Sequence, residues 1–295
     1  IKYWEIWNEP EHKFMWTGAR QQYYELYEVT CKAIKAHDSS LKVGGPSATS
    51  YKSSLVPPFL TFCRDRKLPL DFFSWHIYTG STEEVMEAAQ GSRKILDEYG
   101  FKDAENHMNE WRYWETWDWL RPEDPKKLPE VKKKFAETDN QEGAGFVSSV
   151  LMLLQDQPVD VANFYTADTA PMGMFDSFGI PKKTYFAIKA FNELWGTPNR
   201  VSCEGSLKNG VVLLSGLADN KKSATLLISC FKSEPGPLSV KLHHLPWSGN
   251  VRAQIFQVDE THDLDPISEQ NLNAQNAVIW LQLPPSGVCL LKLSQ

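Results

Sequence analysis

The 295-residue chain carries 31 Lys and Arg against 37 Asp and Glu, a net charge of −6. A balance this mildly acidic argues against nucleic acid or an anionic membrane surface as the main partner. A hydrophobic content of 42% over this length builds a sizeable core, in one large or two moderate domains.

The first 195 or so residues alternate strand-like and helix-like segments. KYWEIWN (2–8) reads as a strand rich in aromatic and β-branched types. Residues 19–38 place Tyr23, Leu26, Tyr27, Thr30 and Ile34 at helical spacing. LKVGG (41–45) is a short strand running into Gly and Pro, 54–67 a helix, and LDFFSWHIYTG (70–80) a strand. The helix predicted over 81–100 opens on a Ser-x-x-Glu capping box and closes at Gly100. ENHMNEW (105–111) is the next strand, followed by a polar and aromatic loop to about 139. Its Lys126, Lys127 and Lys132 to Lys134 read as solvated surface. A helix over 140–157, a strand over 159–168 and a helix over 181–195 complete the series. Five strands alternating with five helices imply a parallel sheet with right-handed crossovers.

After LWGTPNR the pattern changes to six short β-type runs: GVVLLSGLA, SATLLISCF, LSVKLHHL, NVRAQIFQVD, NAVIWLQL and GVCLLKL. Turn dipeptides separate them, which predicts an antiparallel β-sandwich. The expected division is therefore 1–198 and 199–295. No run is long and apolar enough to span a membrane and no signal peptide is visible, so localisation stays open. Cys31, Cys63, Cys203, Cys230 and Cys289 are an odd set without metal-ligand spacing, read as reduced and mostly buried. His243 and His244 are adjacent in a strand and point to opposite faces, a poor metal pair. GGPSA lacks both the P-loop lysine and the dinucleotide-binding glycine spacing. No cofactor and no metal is expected.

In β/α architectures the active site lies at the C-terminal ends of the parallel strands. There the first strand presents Asn8 and Glu9, the third His76 and Tyr78, the fourth Asn109, Glu110 and Trp111, and the fifth Tyr165 and Asp168. Asp168 also fits an ordinary turn, and His76 an ordinary core histidine. The 11 Trp, 10 Tyr and 15 Phe include the cluster NEWRYWETWDWL, and tryptophan clusters often line a groove in which sugar rings stack. Two strands that end in Asn-Glu within apolar contexts need a task for each glutamate, because an unpaired buried carboxylate is costly. Facing carboxylates are what glycoside hydrolysis requires: one gives a proton to the leaving oxygen, the other attacks the anomeric carbon or activates water.

WEIWNEP, followed three strands later by HMNEW, resembles clan A of the retaining glycoside hydrolases. In that clan an Asn-Glu pair ends barrel strand 4 and a second Glu ends strand 7. Within the clan the chain is most similar to family 39, which holds β-xylosidases and α-L-iduronidases, by NEP, FFSWHIY and GMFDSFGIPKKTYFAIKAFNELWG. The resemblance covers about 1–200, and 200–295 in architecture only. It implies a carbohydrate substrate, a β-linked xyloside or related glycan. Glu9 would be the acid/base and Glu110 the nucleophile. Asn8 would hold the sugar 2-hydroxyl, His76 and Tyr78 would orient or contact the nucleophile, and Trp111, Trp114, Trp117 and Trp119 would wall the subsites. Tyr165 would be a sugar platform.

The same resemblance implies an α/β fold class: an incomplete TIM-type barrel of about five β/α units, matching strands 4–8, followed by the sandwich. Strands 1–3 would be absent. The strand before Glu9 is then an open edge to be covered, by further chain or by a homo-oligomer, most simply a dimer. An inactive carbohydrate-binding descendant and another clan A glycosidase are the alternative readings.

Overall fold

A computed structural model of the chain describes residues 1–115, 125–205 and 209–295. The chain packs as two compact units, residues 1–112 with 156–165, and residues 113–155 with 166–295.

The first unit is built on five parallel strands in the order β1 (Tyr3–Glu5), β2 (Lys42–Ala48), β3 (Phe72–Thr79), β4 (Glu105–Tyr113) and β5 (Val161–Phe164), curved as an open half-barrel. α1 (Arg20–His37) follows β1, α2 (Val56–Asp65) follows β2 and α3 (Thr82–Glu98) follows β3. Two-residue periodicity divides β3 between faces. Phe73 and Trp75 are fully buried, in the layer where Tyr23 and Tyr27 of α1 meet Phe59 of α2; the Tyr27 and Phe59 rings lie edge to face at 4.9 Å. Buried phenols need partners, and here they are backbone carbonyls: Tyr23 donates to Ile6 and Tyr27 to Pro69. Asn106, fully buried, ties the sheet to α3. It accepts from Trp75 Nε1 and donates to Ala89 O, Ser92 Oγ and Pro158 O. The Ser81 hydroxyl accepts from the amide of Glu84 and starts α3 as its capping motif predicts.

The concave face is different. Phe72 stacks on His107 at 4.6 Å with Tyr3 against both, and above them Glu5, Ser74 and Asn109 form a polar layer. Gly44 sits between β1 and β3 because a Cβ there would lie 2.3 Å from the Phe72 carbonyl and 2.5 Å from its ring.

The second unit centres on a six-stranded antiparallel sheet in the order β11-β10-β13-β8-β7-β6: β6 (Asn199–Val201), β7 (Val211–Leu217), β8 (Ser223–Cys230), β10 (Asn250–Val258), β11 (Asp263–Asn273) and β13 (Gly287–Ser294). A two-stranded sheet of β9 (Gly236–Lys241) and β12 (Val278–Leu283) covers one face, through Ile228, Ile255 and Leu291 against Ile279, Leu281 and Val240. On the other face, Leu227, Leu290 and Val258 pack against Ala144 and Met152 of α5 (Gln141–Leu153) and Ala187 and Ala190 of α6 (Lys183–Asn192). Burial on both faces explains why β8 and β13 read as continuous apolar runs rather than alternating ones.

Several expected boundaries move. The first strand, expected over 2–8, is only three residues long, because Trp7 (φ 73°) and Glu9 (φ 46°) leave the extended region. The expected loop to 139 contains α4 (Leu128–Glu137), so Lys132 to Lys134 lie on a helix; it buries only Val131 on that stretch, too little for a periodic apolar signal. β11, DLDPISEQNLN, went unpredicted because it is polar and contains Pro266. It is an edge strand with register shifts where it pairs with β10, a place that tolerates proline. The helices α5 and α6 group with the β-sheet rather than with the first unit, while the pattern change expected near 198 falls just before β6. No described helix is long and apolar enough to cross a membrane.

Gly44→Ala is expected to lower stability by about 1–3 kcal/mol, the usual cost of overpacking a filled site. A denaturant titration checks this; a midpoint equal to the parent's would show that β2 and β3 have room to separate.

Candidate active site

The groups at the strand ends of the half-barrel are brought together by three departures from regular backbone. Trp7 and Glu9 take positive φ after β1, and Ser47 (φ 52°) does so within β2. Such conformations are uncommon outside glycine and concentrate at functional sites. On β4 the register with β5 slips between Met108 and Trp111, a bulge of one extra residue. Alternation would send Asn109 and Glu110 to opposite faces. Instead Asn109 bonds Glu5 and Ser47 while Glu110 bonds Tyr78, so both look into the concave side.

His76, 1% exposed, is the centre of the cluster. Its Nδ1 lies 2.8 Å from Glu9 Oε1 and 3.8 Å from Glu110 Oε1, and its Nε2 lies 2.8 Å from Ser47 Oγ. The Ser47 hydroxyl donates to Asn8 Oδ1 (2.8 Å) and also accepts from Asn109 Nδ2 (3.2 Å). Asn109 is oriented in turn by Glu5, whose two oxygens lie 2.9 and 2.8 Å from the same amide nitrogen. A carboxylate accepts only, so it selects the nitrogen end of that amide. With the Ser47 proton committed to Asn8, the hydroxyl can only accept from His76, which places a proton on Nε2. The other ring nitrogen, Nδ1, faces Glu9.

Glu9 and Glu110 are mostly shielded, with side-chain exposures of 14% and 18%. One oxygen of each, with His76 Nδ1, lie within 4.8 Å of one another. Tyr78 donates its phenol proton to Glu110 Oε1 in a short hydrogen bond. Burial, followed by that bond and the Glu110 charge, pushes the Tyr78 phenol well above its ordinary range. Glu5 reaches solvent along β1, yet the protein crowded around it still raises its pKa, with His76, Ser74 and Ser47 acting in the opposite direction.

Of the residues singled out from the sequence, Asn8, Glu9, His76, Tyr78 and Glu110 meet in this one cluster. Tyr165 follows β5, 40% exposed, and is among the groups near Tyr78. Trp111, beside Glu110, is 1% exposed and packs edge to face on Phe164; its indole N–H has no hydrogen-bond partner among the described residues. Trp114 belongs to the second unit, 1% exposed, with its ring against Phe135. Trp117 and Trp119 lie outside the described residues. Asp168 closes a turn by accepting from the Ala170 amide.

Three contributors escaped notice. Ser47 was hidden in GGPSA, although it follows a strand and the strand-end rule applies to it as well. Glu5 looked like one polar residue in a strand pattern. His12, 3.9 Å from Glu9 and stacked on the exposed Phe14, lies on the loop after the Asn-Glu pair and carries no motif.

Phenols held above their ordinary pKa have a consequence. Burial raises Tyr23 and Tyr27 as well as Tyr78. In the unfolded chain these phenols ionise near pH 10. Their contribution to stability is therefore complete below about pH 10 and is lost as pH rises beyond it, when only the unfolded chain releases the protons. Ultraviolet titration is expected to show tyrosinate from these residues only together with loss of circular dichroism. Early ionisation of all ten tyrosines with the fold intact would contradict this.

Comparison with known proteins bears on this cluster. The family model for glycosyl hydrolases family 39 matches residues 2–225. A β-xylosidase of Geobacillus stearothermophilus is 27% identical over 214 residues, covering 64% of this chain and 41% of that protein. A β-xylosidase of Caldicellulosiruptor saccharolyticus is 25% identical over 303 residues, covering 95% of this chain and 57% of that protein. The chain thus spans about half the length of the curated relatives it matches. Among solved structures, a glucosidase from Croceicoccus marinus superposes with a TM-score of 0.86 at 23% identity, over 100% of this chain and 69% of that one. A monomeric β-xylosidase from Caulobacter crescentus gives 0.77 at 20% identity, over 98% and 69%. These two likenesses establish the fold. With the family match extending over most of its length, the chain belongs to glycosyl hydrolases family 39.

Proposed function

We propose that the protein hydrolyses β-linked glycosides, xylosides or a related glycan, with retention of configuration. The observation that carries the reading is the closeness of Glu9 and Glu110. An oxygen of each lies within 4.8 Å of the other, which is closer to the ~5–5.5 Å carboxyl spacing of retaining enzymes than to the ~6.5–9.5 Å of inverting ones. Glu110 attacks the anomeric carbon, forming a glycosyl ester as the bond to the leaving oxygen breaks. Glu9 gives that oxygen its proton. Water then attacks the anomeric carbon, Glu9 takes the water's proton, and the bond from that carbon to Glu110 breaks to release the carboxylate.

The surrounding hydrogen bonds favour this division of labour. Glu110 receives the Tyr78 phenol, which stabilises the anion a nucleophile requires. Glu9 is held at 2.8 Å by His76 Nδ1, which fixes one of its oxygens and leaves the other toward the substrate side. Asn8 spends its carbonyl on the Ser47 hydroxyl, which leaves its amide nitrogen to donate to the sugar hydroxyl next to the reacting carbon. Tyr165, exposed at the end of β5, is placed to stack on a sugar face. Xyloside specificity rests on the β-xylosidase relatives.

On aryl β-xylosides, Glu110→Ala is expected to lose turnover entirely. Glu9→Ala is expected to retain it only with leaving groups acidic enough to depart unprotonated, azide then rescuing the rate and yielding the β-glycosyl azide. Steady-state kinetics with product analysis tests both. Parent-level turnover by Glu110→Ala would end the assignment, and sugar binding without turnover in the parent would favour a carbohydrate-binding protein.

The expected dimer is a further part of the proposal. It rests on the edge position of β1 in the described sheet, where Trp4 is 42% exposed. Light scattering at micromolar concentration is expected to give twice the chain mass; a monomer would overturn it.

A further inference from the structure

We infer that Glu9, Glu110 and His76 also form a binding site for one divalent borderline metal ion, Zn²⁺ foremost, seated between His76 Nδ1 and the two carboxylates. This goes beyond glycoside hydrolysis and does not depend on it.

Donor chemistry comes first. The set is two carboxylates and one imidazole, from β3, from β4 and from the turn after β1. Metals bind imidazole through a bare nitrogen, so the tautomer decides whether a histidine can act. Here Ser47 has no proton left to offer, the Nε2 proton is therefore fixed toward it, and Nδ1 presents its lone pair to the two carboxylates. Histidine ligands characteristically donate their second N–H to a fixed acceptor in this way. Ser47 is itself held by Asn8, Asn109 and the Ser74 hydroxyl, and Glu110 is held by Tyr78. The outer support of a metal site is thus already assembled.

The geometry fits with little movement. A tetrahedral ion bound to nitrogen and oxygen at ~2.0–2.2 Å needs its donors roughly 3.4 Å apart. The present separations from Nδ1 are 2.8 Å to Glu9 and 3.8 Å to Glu110, and all three atoms lie within 4.8 Å. Three donors leave a fourth position open for water. A set so small and containing imidazole suits Zn²⁺, Ni²⁺ or Cu²⁺ rather than Mg²⁺ or Ca²⁺, which take six or more oxygen ligands or keep their waters. No cysteine is in the set.

Carboxylate and neutral imidazole are the forms that ligate a metal. The other titratable groups facing the pair are Glu110, Tyr78 bonded to it, His12 at 3.9 Å from Glu9, and Glu5 one layer below through Asn109.

Titration calorimetry with Zn²⁺, and absorption with Co²⁺, test the site on the full chain. One ion per chain and Co²⁺ bands without thiolate charge transfer are expected. Glu9→Gln and Glu110→Gln, which keep side-chain volume, are each expected to weaken binding by about 10-fold or more. Ser47→Ala is expected to weaken it by about 10–100-fold through loss of the outer support. A His243→Ala, His244→Ala double variant is expected to bind as the parent does. Equal affinity in both Gln variants, loss of binding in the double-His variant, or no binding at millimolar Zn²⁺ would each overturn the site. None of these readouts uses glycosidase turnover, so failure here and failure of the hydrolytic reading are separate results.

Discussion

A hydroxyl group has one proton, and the arrangement at the strand ends depends on where Ser47 sends it. Its proton goes to Asn8; its lone pairs receive His76 and Asn109. That single commitment orients the Asn8 amide, fixes the protonated nitrogen of His76, and leaves the other nitrogen between two carboxylates. Glu5 stands at the far end of the same chain of bonds, because it decides which way the Asn109 amide faces. A cluster of polar groups sheltered in this way is stable only when every member has a compatible neighbour. Here a directional order runs from Glu5 to Glu9, and the Asn109 Oδ1 is the buried acceptor in it without a partner among the described residues.

The order is possible because the backbone departs from regularity at the right places. Without the bulge in β4, Asn109 and Glu110 would face opposite sides, and either the support or the carboxylate would be lost. Without positive φ at Ser47 and Glu9, the neighbouring strands would carry their side chains past the cluster. The cost of such conformations, of order 1–3 kcal/mol each, is borne by a well-packed exterior. The tyrosines and phenylalanines of α1 and α2, the Asn106 network and the fully buried Trp75 hold the strands whose ends are strained.

Much of this was legible from the residues. Alternating periodicities located all five parallel strands, and the capping motif at Ser81 placed a helix start. Two Asn-Glu pairs at strand ends marked Glu9 and Glu110 before any geometry was available. What escaped did so for physical reasons. β11 is an edge strand whose polar residues and proline meet no core on one side, so no alternation appears. α4 buries almost nothing and shows only its lysines. Ser47 is a small residue whose importance lies in what three long-range partners do to it, and hydrogen bonds spanning tens of positions leave no local signature. Trp111 and Trp114 stood out by composition as groove-lining residues, and composition alone does not say which faces of a strand are covered.

The division into two units also determines what the polypeptide can do as it is made. The path passes from the first unit to the second after Arg112, returns at Asp156, and leaves again after Tyr165. β5, an indispensable strand of the half-barrel, is thus encoded beyond a helix that packs on the β-sandwich sheet. Neither unit exists as one uninterrupted stretch of gene. β5 is made only after residues 113–155 of the second unit, and recombination at any single point between residues 113 and 165 would separate parts of one unit from each other.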